Sequence, residues 1–173
     1  MKKLLVLASL ALLPLTAAAH GPSPQKVEKT VTIKAEPAKV WAIVKDFGAF
    51  DKWHPAVASS KLEKKGSDTF RHLKLKDGGT ILEKLRSSDD DSMQLKYEIV
   101  ESTLPFTDYY AVMKVKPGAN PGETTVTWMG RFYRMYKLNP PIPKGQDDET
   151  AIAAVTGIYD AGLANLKKVA EGK

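Results

Sequence analysis

Between Val27 and Phe132 the chain alternates apolar and polar residues with period two in several short runs, and one helical spacing interrupts the series near its start. Val27, Val31, Ile33 and Ala35 share one parity, while Glu28, Thr30, Thr32 and Lys34 share the other, which predicts a first strand with one wet face. Residues 35–57, AEPAKVWAIVKDFGAFDKWHPAV, break that pattern. Pro37 suits a first helical turn, and Val40, Val44 and Phe47 recur on one helical face. Gly48 is expected to end this helix. Phe50 and Trp53 predict a second short turn before His54-Pro55, where the residue preceding proline is forced extended.

Six further strands follow: Val57 to Glu63, Thr69 to Leu75, Thr80 to Ser87, one carrying Met93, Leu95, Tyr97 and Ile99, Tyr109 to Val115, and one in which Val126, Trp128, Gly130 and Phe132 share a face. No helical run separates them, so the sheet is expected to be antiparallel. Asp77-Gly78-Gly79 reads as a three-residue hairpin loop, which would set Leu73 against Glu83 and Arg71 against Leu85. That register puts Arg71 and Glu83 on the apolar face as diagonal neighbours; a two-residue loop would mix wet and dry faces. After the extended Asn139-Pro140-Pro141-Ile142-Pro143, Asp147 or Asp148 is expected to cap a long helix. In it Ile152, Val155, Tyr159, Gly162, Leu166 and Ala170 keep the 3.6-residue period. At about 33 Å it is long enough to cross the sheet. Gly157 and Gly162 each cost about 1 kcal/mol relative to alanine in a helix interior. With Ala154, Ala161 and Ala164, Gly157 forms a stripe of small residues that either lets the helix approach a strand or leaves space beneath it.

Composition changes the picture at the N-terminus. Lys2-Lys3, the apolar run Leu4 to Leu15 and Ala17-Ala18-Ala19 have the layout of a secretory signal, residues 1–19, and the apolar run is too short to span a bilayer. Residues 20–26 are expected to be a mobile lead-in and residues 27–173 one domain. The absence of cysteine excludes a disulfide framework, and the short basic start fits bacterial export to the periplasm. The formal charge is +6, two units of it from Lys2 and Lys3, which is mild for a nucleic-acid binder. Lys61, Lys64, Lys65, Lys74 and Lys76 alternate with other residues as a solvated face would, and Asp89-Asp90-Asp91 offsets them.

The order strand, two small helices, six antiparallel strands and long terminal helix predicts an α+β helix-grip fold: a curved seven-stranded sheet around the C-terminal helix. With AEPAKVWAIVKDFGAFDKWHPAV, FRHLKLKDGGTILEKL, YEIVESTLPFTDYY and TVTWMGRF as they stand, the chain resembles the START-like (SRPBCC) superfamily, which includes the polyketide cyclase/dehydrase and Bet v 1-like lipid-transport groups. A narrower resemblance rests on the HGPSPQ start, RFYRMYKLNPPIPKGQDD and TAIAAVTGIYDAGLANLKKVA, which look like the MxaD family of periplasmic accessory proteins. That resemblance implies a role in methanol oxidation, helping methanol dehydrogenase meet its cytochrome c acceptor.

Arg71 and Glu83 are the most informative polar residues, and three readings fit them. They form a buried ion pair holding the sheet, or a polar anchor for a ligand in an apolar pocket, or an acid/base pair. No nucleophilic or water-activating constellation accompanies them. Trp53 and His54 are placed at the mouth of the expected cavity, and Tyr97, Trp128 and Phe132 either line it or fill an ordinary core. His72 has the opposite parity and is expected outside. The histidines lack metal-ligand spacing, and His20, the N-terminus after cleavage, has no partner histidine placed by the fold with which to hold copper. No phosphate loop, dinucleotide fingerprint, haem attachment site or nucleophile elbow occurs. The resemblance and the export signal together imply a periplasmic accessory protein, expected without catalytic residues, metal or cofactor. Its ligand cavity is assigned to Trp53, His54, Arg71, Glu83, Tyr97, Trp128 and Phe132. A carrier of an apolar small molecule or lipid, and a cyclase/dehydrase-type enzyme using Arg71, Glu83 and His54, are the alternatives.

Overall fold

The computed structural model describes residues 21–173; the expected signal, residues 1–19, and His20 lie outside the described residues. One sheet holds seven antiparallel strands: β1 (Gln25–Ile33), β2 (Val57–Lys65), β3 (Asp68–Leu75), β4 (Thr80–Asp89), β5 (Gln94–Ser102), β6 (Phe106–Pro117) and β7 (Thr124–Arg134). Their spatial order is β1-β7-β6-β5-β4-β3-β2. Between β1 and β2 stand α1 (Pro37–Lys45) and a 3-10 helix (Phe47–Lys52), and α2 (Asp148–Glu171) closes the chain. This is the helix-grip arrangement expected from the order of elements.

The first strand begins earlier than its alternation suggests. Gln25 and Lys26, assigned by sequence to the lead-in, pair with Phe132 and Arg131 of β7. Helix α1 ends at Lys45, before Gly48. Gly48 instead sits inside the 3-10 turn against Leu62, where a Cβ would lie 2.9 Å from the leucine Cδ1. It is a close-approach residue and not the helix stop. Trp41 is buried, and its indole N–H donates to Asp90 Oδ1 at 2.6 Å, tying α1 to the β4–β5 turn.

The β3–β4 register differs from expectation by two residues. The last ladder pair is Lys74 with Thr80, so Leu75 through Gly79 form the turn. Leu75 N–H bonds to Gly79 O at 2.8 Å, and Lys76 N–H turns away to Ala56 O at 2.9 Å, so neither extends the ladder. A shift of two keeps every side chain on its face. It converts Arg71 and Glu83 from diagonal neighbours into a directly opposed pair.

Helix α2 starts where expected: Asp147 Oδ1 accepts the Thr150 N–H at 2.7 Å, and Gly172 closes the other end in the left-handed region (φ 74°). The helix backbone approaches β1 and β7 most closely. Val155, Ile158 and Tyr159 of α2 and Phe50 of the 3-10 helix face the inner sides of β4 to β6 across a small cavity. Val155, Tyr159, Gly162, Leu166 and Ala170 are buried, but Ile152 is exposed and Ala151 takes the inward place. Gly162 fits against the core so closely that a Cβ would meet His54 Cδ2 at 2.7 Å and Trp128 Cζ3 at 2.8 Å. Of the small-residue stripe, Gly157, Ala161 and Ala164 face solvent while Ala154 packs partly against the core. Nothing in the fold requires glycine at 157.

Candidate functional site

Arg71 and Glu83 come from neighbouring strands and are both buried, at 2% and 3% exposure. Arg71 Nε donates to Glu83 Oε2 at 2.7 Å, and Nη2 contacts the same oxygen. Nη1 donates to the Phe47 carbonyl at 2.8 Å. The guanidinium carbon lies 4.1 Å from the Phe47 ring centroid and 4.2 Å from that of Phe50. One cation thus fastens the 3-10 helix to the sheet through a hydrogen bond and two aromatic faces. Burial pushes the Glu83 carboxyl above the usual carboxylate range, while the guanidinium pulls it back. Both arginine contacts fall on Oε2, and among the described residues no donor reaches Oε1.

Glu83 lines a small cavity between β4–β6 and α2, walled by Phe50, Tyr97, Phe106, Tyr109, Trp128 and Tyr159 with an aliphatic rim. Its volume is about 30 Å³, room for about two water-sized groups. Polar groups on the wall are linked. Trp128 Nε1 donates to the Tyr97 hydroxyl at 3.0 Å, and the hydroxyls of Tyr109 and Tyr159 are 2.5 Å apart. The Tyr159 ring stacks on Trp128 with centroids 4.2 Å apart. Gly130 makes room for this: a Cβ there would lie 2.2 Å from the Tyr159 hydroxyl. Burial drives the pKa of all three phenols upward, so each keeps its proton.

A proton count then shows what the wall offers. Three phenols carry three O–H donors. One is used between Tyr109 and Tyr159, and the Tyr97 hydroxyl also interacts with that of Tyr109, so the linked phenols leave one proton without an acceptor among the described residues. With Glu83 Oε1, the cavity presents one spare donor and one spare acceptor on aromatic walls.

The expected site residues divide accordingly. Glu83, Tyr97 and Trp128 line the cavity, whereas Trp53, His54, Arg71 and Phe132 stand behind it. His54 is buried and not at a mouth. Its Nδ1 accepts the Ala56 N–H at 3.3 Å and its Nε2 lies 3.0 Å from Ile158 O, which fixes the neutral Nε2–H tautomer. Burial lowers its pKa, in keeping with that state. Phe50 separates it from Arg71, stacked 4.9 Å from the imidazole. The acid/base trio of His54, Arg71 and Glu83 therefore does not converge on one pocket. Trp53 is buried beside Phe50 and Trp128, 4.6 and 5.8 Å between centroids, and Phe132 packs 5.5 Å from Phe106. His72 is outside, bonded to Glu63 at 2.6 Å.

Tyr109 and Tyr159 are polar wall residues that the sequence reading did not assign to the cavity. Each reads as an ordinary apolar-face position, and only the pairing of β6 with α2 makes their hydroxyls meet. Arg134 was also missed. It is buried and holds the proline-containing connector through Tyr136 O at 2.7 Å, Leu138 O at 3.3 Å and Asp148 Oδ2 at 3.1 Å.

Comparison with known proteins places this geometry. Residues 24–171 match the profile of the family described as polyketide cyclase / dehydrase and lipid transport. No curated protein matches the chain. The structure of a protein XoxI from Bacillus cereus is similar over 83% of this chain and 94% of that one, with 30% identity and a TM-score of 0.71. The Zhui aromatase/cyclase from Streptomyces is similar over 86% of this chain and 94% of its own, at 18% identity and a TM-score of 0.72. A START superfamily protein from Mycobacterium smegmatis covers 85% and 97%, at 16% identity and a TM-score of 0.67. The last two bear on fold alone.

Proposed function

The chain belongs to the polyketide cyclase/dehydrase and lipid transport family, and from that premise we propose that it binds a small uncharged molecule whose hydroxyl or carbonyl group enters the cavity beside Glu83. The observation that carries this reading is the unused hydrogen-bonding capacity of the wall. Buried polar groups are ordinarily paired, and a head group with one donor and one acceptor would complete Glu83 and the linked phenols together. An apolar body suits the aromatic surround. No reaction is assigned to the site, because no nucleophile stands beside a base within it.

Native mass spectrometry of the protein purified from its own cells tests the reading. A bound mass that is lost in Tyr97→Phe and Glu83→Gln supports it, and a clean apo mass from the native source counts against it. The compartment we propose is the periplasm, on the strength of residues 1–19, and a mature chain beginning at His20 is the expected mass. The narrower role, assisting methanol dehydrogenase and its cytochrome c, is supported by the sequence resemblance of RFYRMYKLNPPIPKGQDD and the helix after it. Co-purification from the periplasm with either protein supports that role; deletion of the gene without change in methanol-dependent electron transfer removes it.

A further inference from the structure

The outer face of β2 to β5 carries a hollow of about 490 Å³. Two cross-strand rows form its floor. Lys61, His72, Leu82 and Glu101 stand opposite one another in one row. Ser59, Lys74 and Thr80 make the next, which Thr103 extends by donating its N–H to Thr80 O at 3.1 Å. Successive residues of a strand alternate faces, so these side chains point away from Arg71 and Glu83. The volume falls in the range of small-molecule sites, about 300–1,000 Å³.

Charge on this face is unevenly matched. Lys65 pairs with Glu63 at 3.3 Å, Lys84 with Asp68 at 2.6 Å and Arg86 with Glu98 at 2.9 Å. Lys61 and Lys74 both line the hollow, and among the described residues neither has a carboxylate partner. The register makes them diagonal neighbours, about 7–8 Å apart. Like charges at that spacing repel unless an anion lies between them. The acidic run expected to offset them is used elsewhere: Asp90 accepts from Trp41 and Lys45, and Asp89 from Ser92. Glu63 is also committed, to His72 at 2.6 Å. Glu101 stands two strands beyond His72, about 10 Å away, with Leu82 between them. The hollow is therefore cationic at one end, aliphatic and hydroxyl-bearing in the middle, and acidic at the other.

We propose that this hollow is a second binding site, separate from the inner cavity, for a small hydroxylated organic anion. Its carboxylate or phosphate lies between Lys61 and Lys74, its carbon chain crosses Leu82 beside Thr80, and a hydroxyl at the far end donates to Glu101. The polarity of the hollow selects this class. A bare inorganic anion leaves Glu101 without a donor, a neutral polyol leaves the two lysines uncompensated, and a second anionic group at the far end meets the Glu101 carboxylate.

The test is a titration of the isotope-labelled protein with gluconate, glucose 6-phosphate, inorganic phosphate and sorbitol, followed by backbone amide shifts in NMR. One of the two organic anions is expected to move the amides of Lys61, His72, Lys74 and Thr80, with a dissociation constant at least tenfold below that of inorganic phosphate. The tighter of the two identifies the anionic group as carboxylate or phosphate, and sorbitol is expected to leave the spectrum unchanged. Lys61, Lys74 and Glu101 are exposed, so their variants keep the fold. Lys61→Gln/Lys74→Gln is expected to weaken the organic anion at least tenfold, and Glu101→Ala to erase its preference over inorganic phosphate. Tyr97→Phe, which alters only the inner cavity, is expected to bind as the parent does. Equal affinity for inorganic phosphate, or shifts spread alike over other surface lysines such as Lys116, means an adventitious ion only and overturns the proposal. So does the absence of binding by both organic anions. Loss of binding in Tyr97→Phe puts the ligand in the inner cavity and overturns the outer site, and the other failures leave the reading of the inner cavity standing.

Discussion

Replacing Arg71 with Met removes a buried cation whose shape the methionine stem partly retains. Three interactions go with it: the contacts on Glu83 Oε2, the bond to the Phe47 carbonyl, and the packing of the guanidinium between the Phe47 and Phe50 rings. What remains is a carboxylate at 3% exposure with no partner. Breaking a buried pair in this way costs about 3–5 kcal/mol, and the unpaired Phe47 carbonyl puts Arg71→Met at the upper end of that range. Total stabilities run about 5–15 kcal/mol, so the variant should be folded but fragile. Urea unfolding followed by far-UV circular dichroism measures it. With a slope of about 1.5 kcal/mol per molar, the midpoint should fall by about 2–3 M. The double variant Arg71→Met/Glu83→Leu should recover most of the loss, because the uncompensated charge is gone. pH gives a second check. Glu83 has a folded pKa above its unfolded value, so between the two the native state holds the proton that the unfolded state has released. Its charged form therefore lowers stability as pH rises, and removing Arg71 raises that pKa further. The deficit of Arg71→Met should shrink from pH 7 toward pH 5. A single-variant cost under 1 kcal/mol, or a double variant no better than the single, would refute the reasoning.

Other expectations follow from the same packing. Gly157→Ala should stabilise by about 1 kcal/mol, since position 157 faces open space and alanine is the better helix former; a lower melting temperature would contradict the solvent-facing assignment. Gly162→Ala should destabilise by more than that gain, because its Cβ meets the His54 and Trp128 rings, and the two alanine variants compared in one thermal-melt series separate the faces of α2. His54 has a folded pKa below 6.5, so its contribution is fully present above pH 6.5 and is lost as pH falls through the folded value. His54→Gln should therefore flatten the loss of stability between pH 7 and pH 5, and an unchanged slope assigns that loss to other groups. Asp147→Ala should lower stability by about 1 kcal/mol through the lost cap on Thr150 N–H, read from the same urea titration.

Periodicity by itself determined which side of strands β3 and β4 is wet at Arg71, His72 and Glu83. The parity that put Arg71 and Glu83 inside and His72 outside depends only on the two-residue repeat of a strand, and a register error of two residues in the β3–β4 turn leaves it intact. The element order and the cap at Asp147 were legible for the same reason: they arise from contacts between residues near in the chain. Gly157 and Gly162 show where that reach ends, since both sit at helical spacing and only the neighbours brought by β7 and His54 distinguish a close approach from open solvent. The cavity wall belongs to the tertiary structure as well. The Tyr109 and Tyr159 hydroxyls meet across 50 residues of chain, and where β5 and β6 stop pairing depends on β4 and β7 holding their far ends. Local pattern sets which groups are buried; the assembled packing alone sets which of them meet, and with how many hydrogen bonds left over.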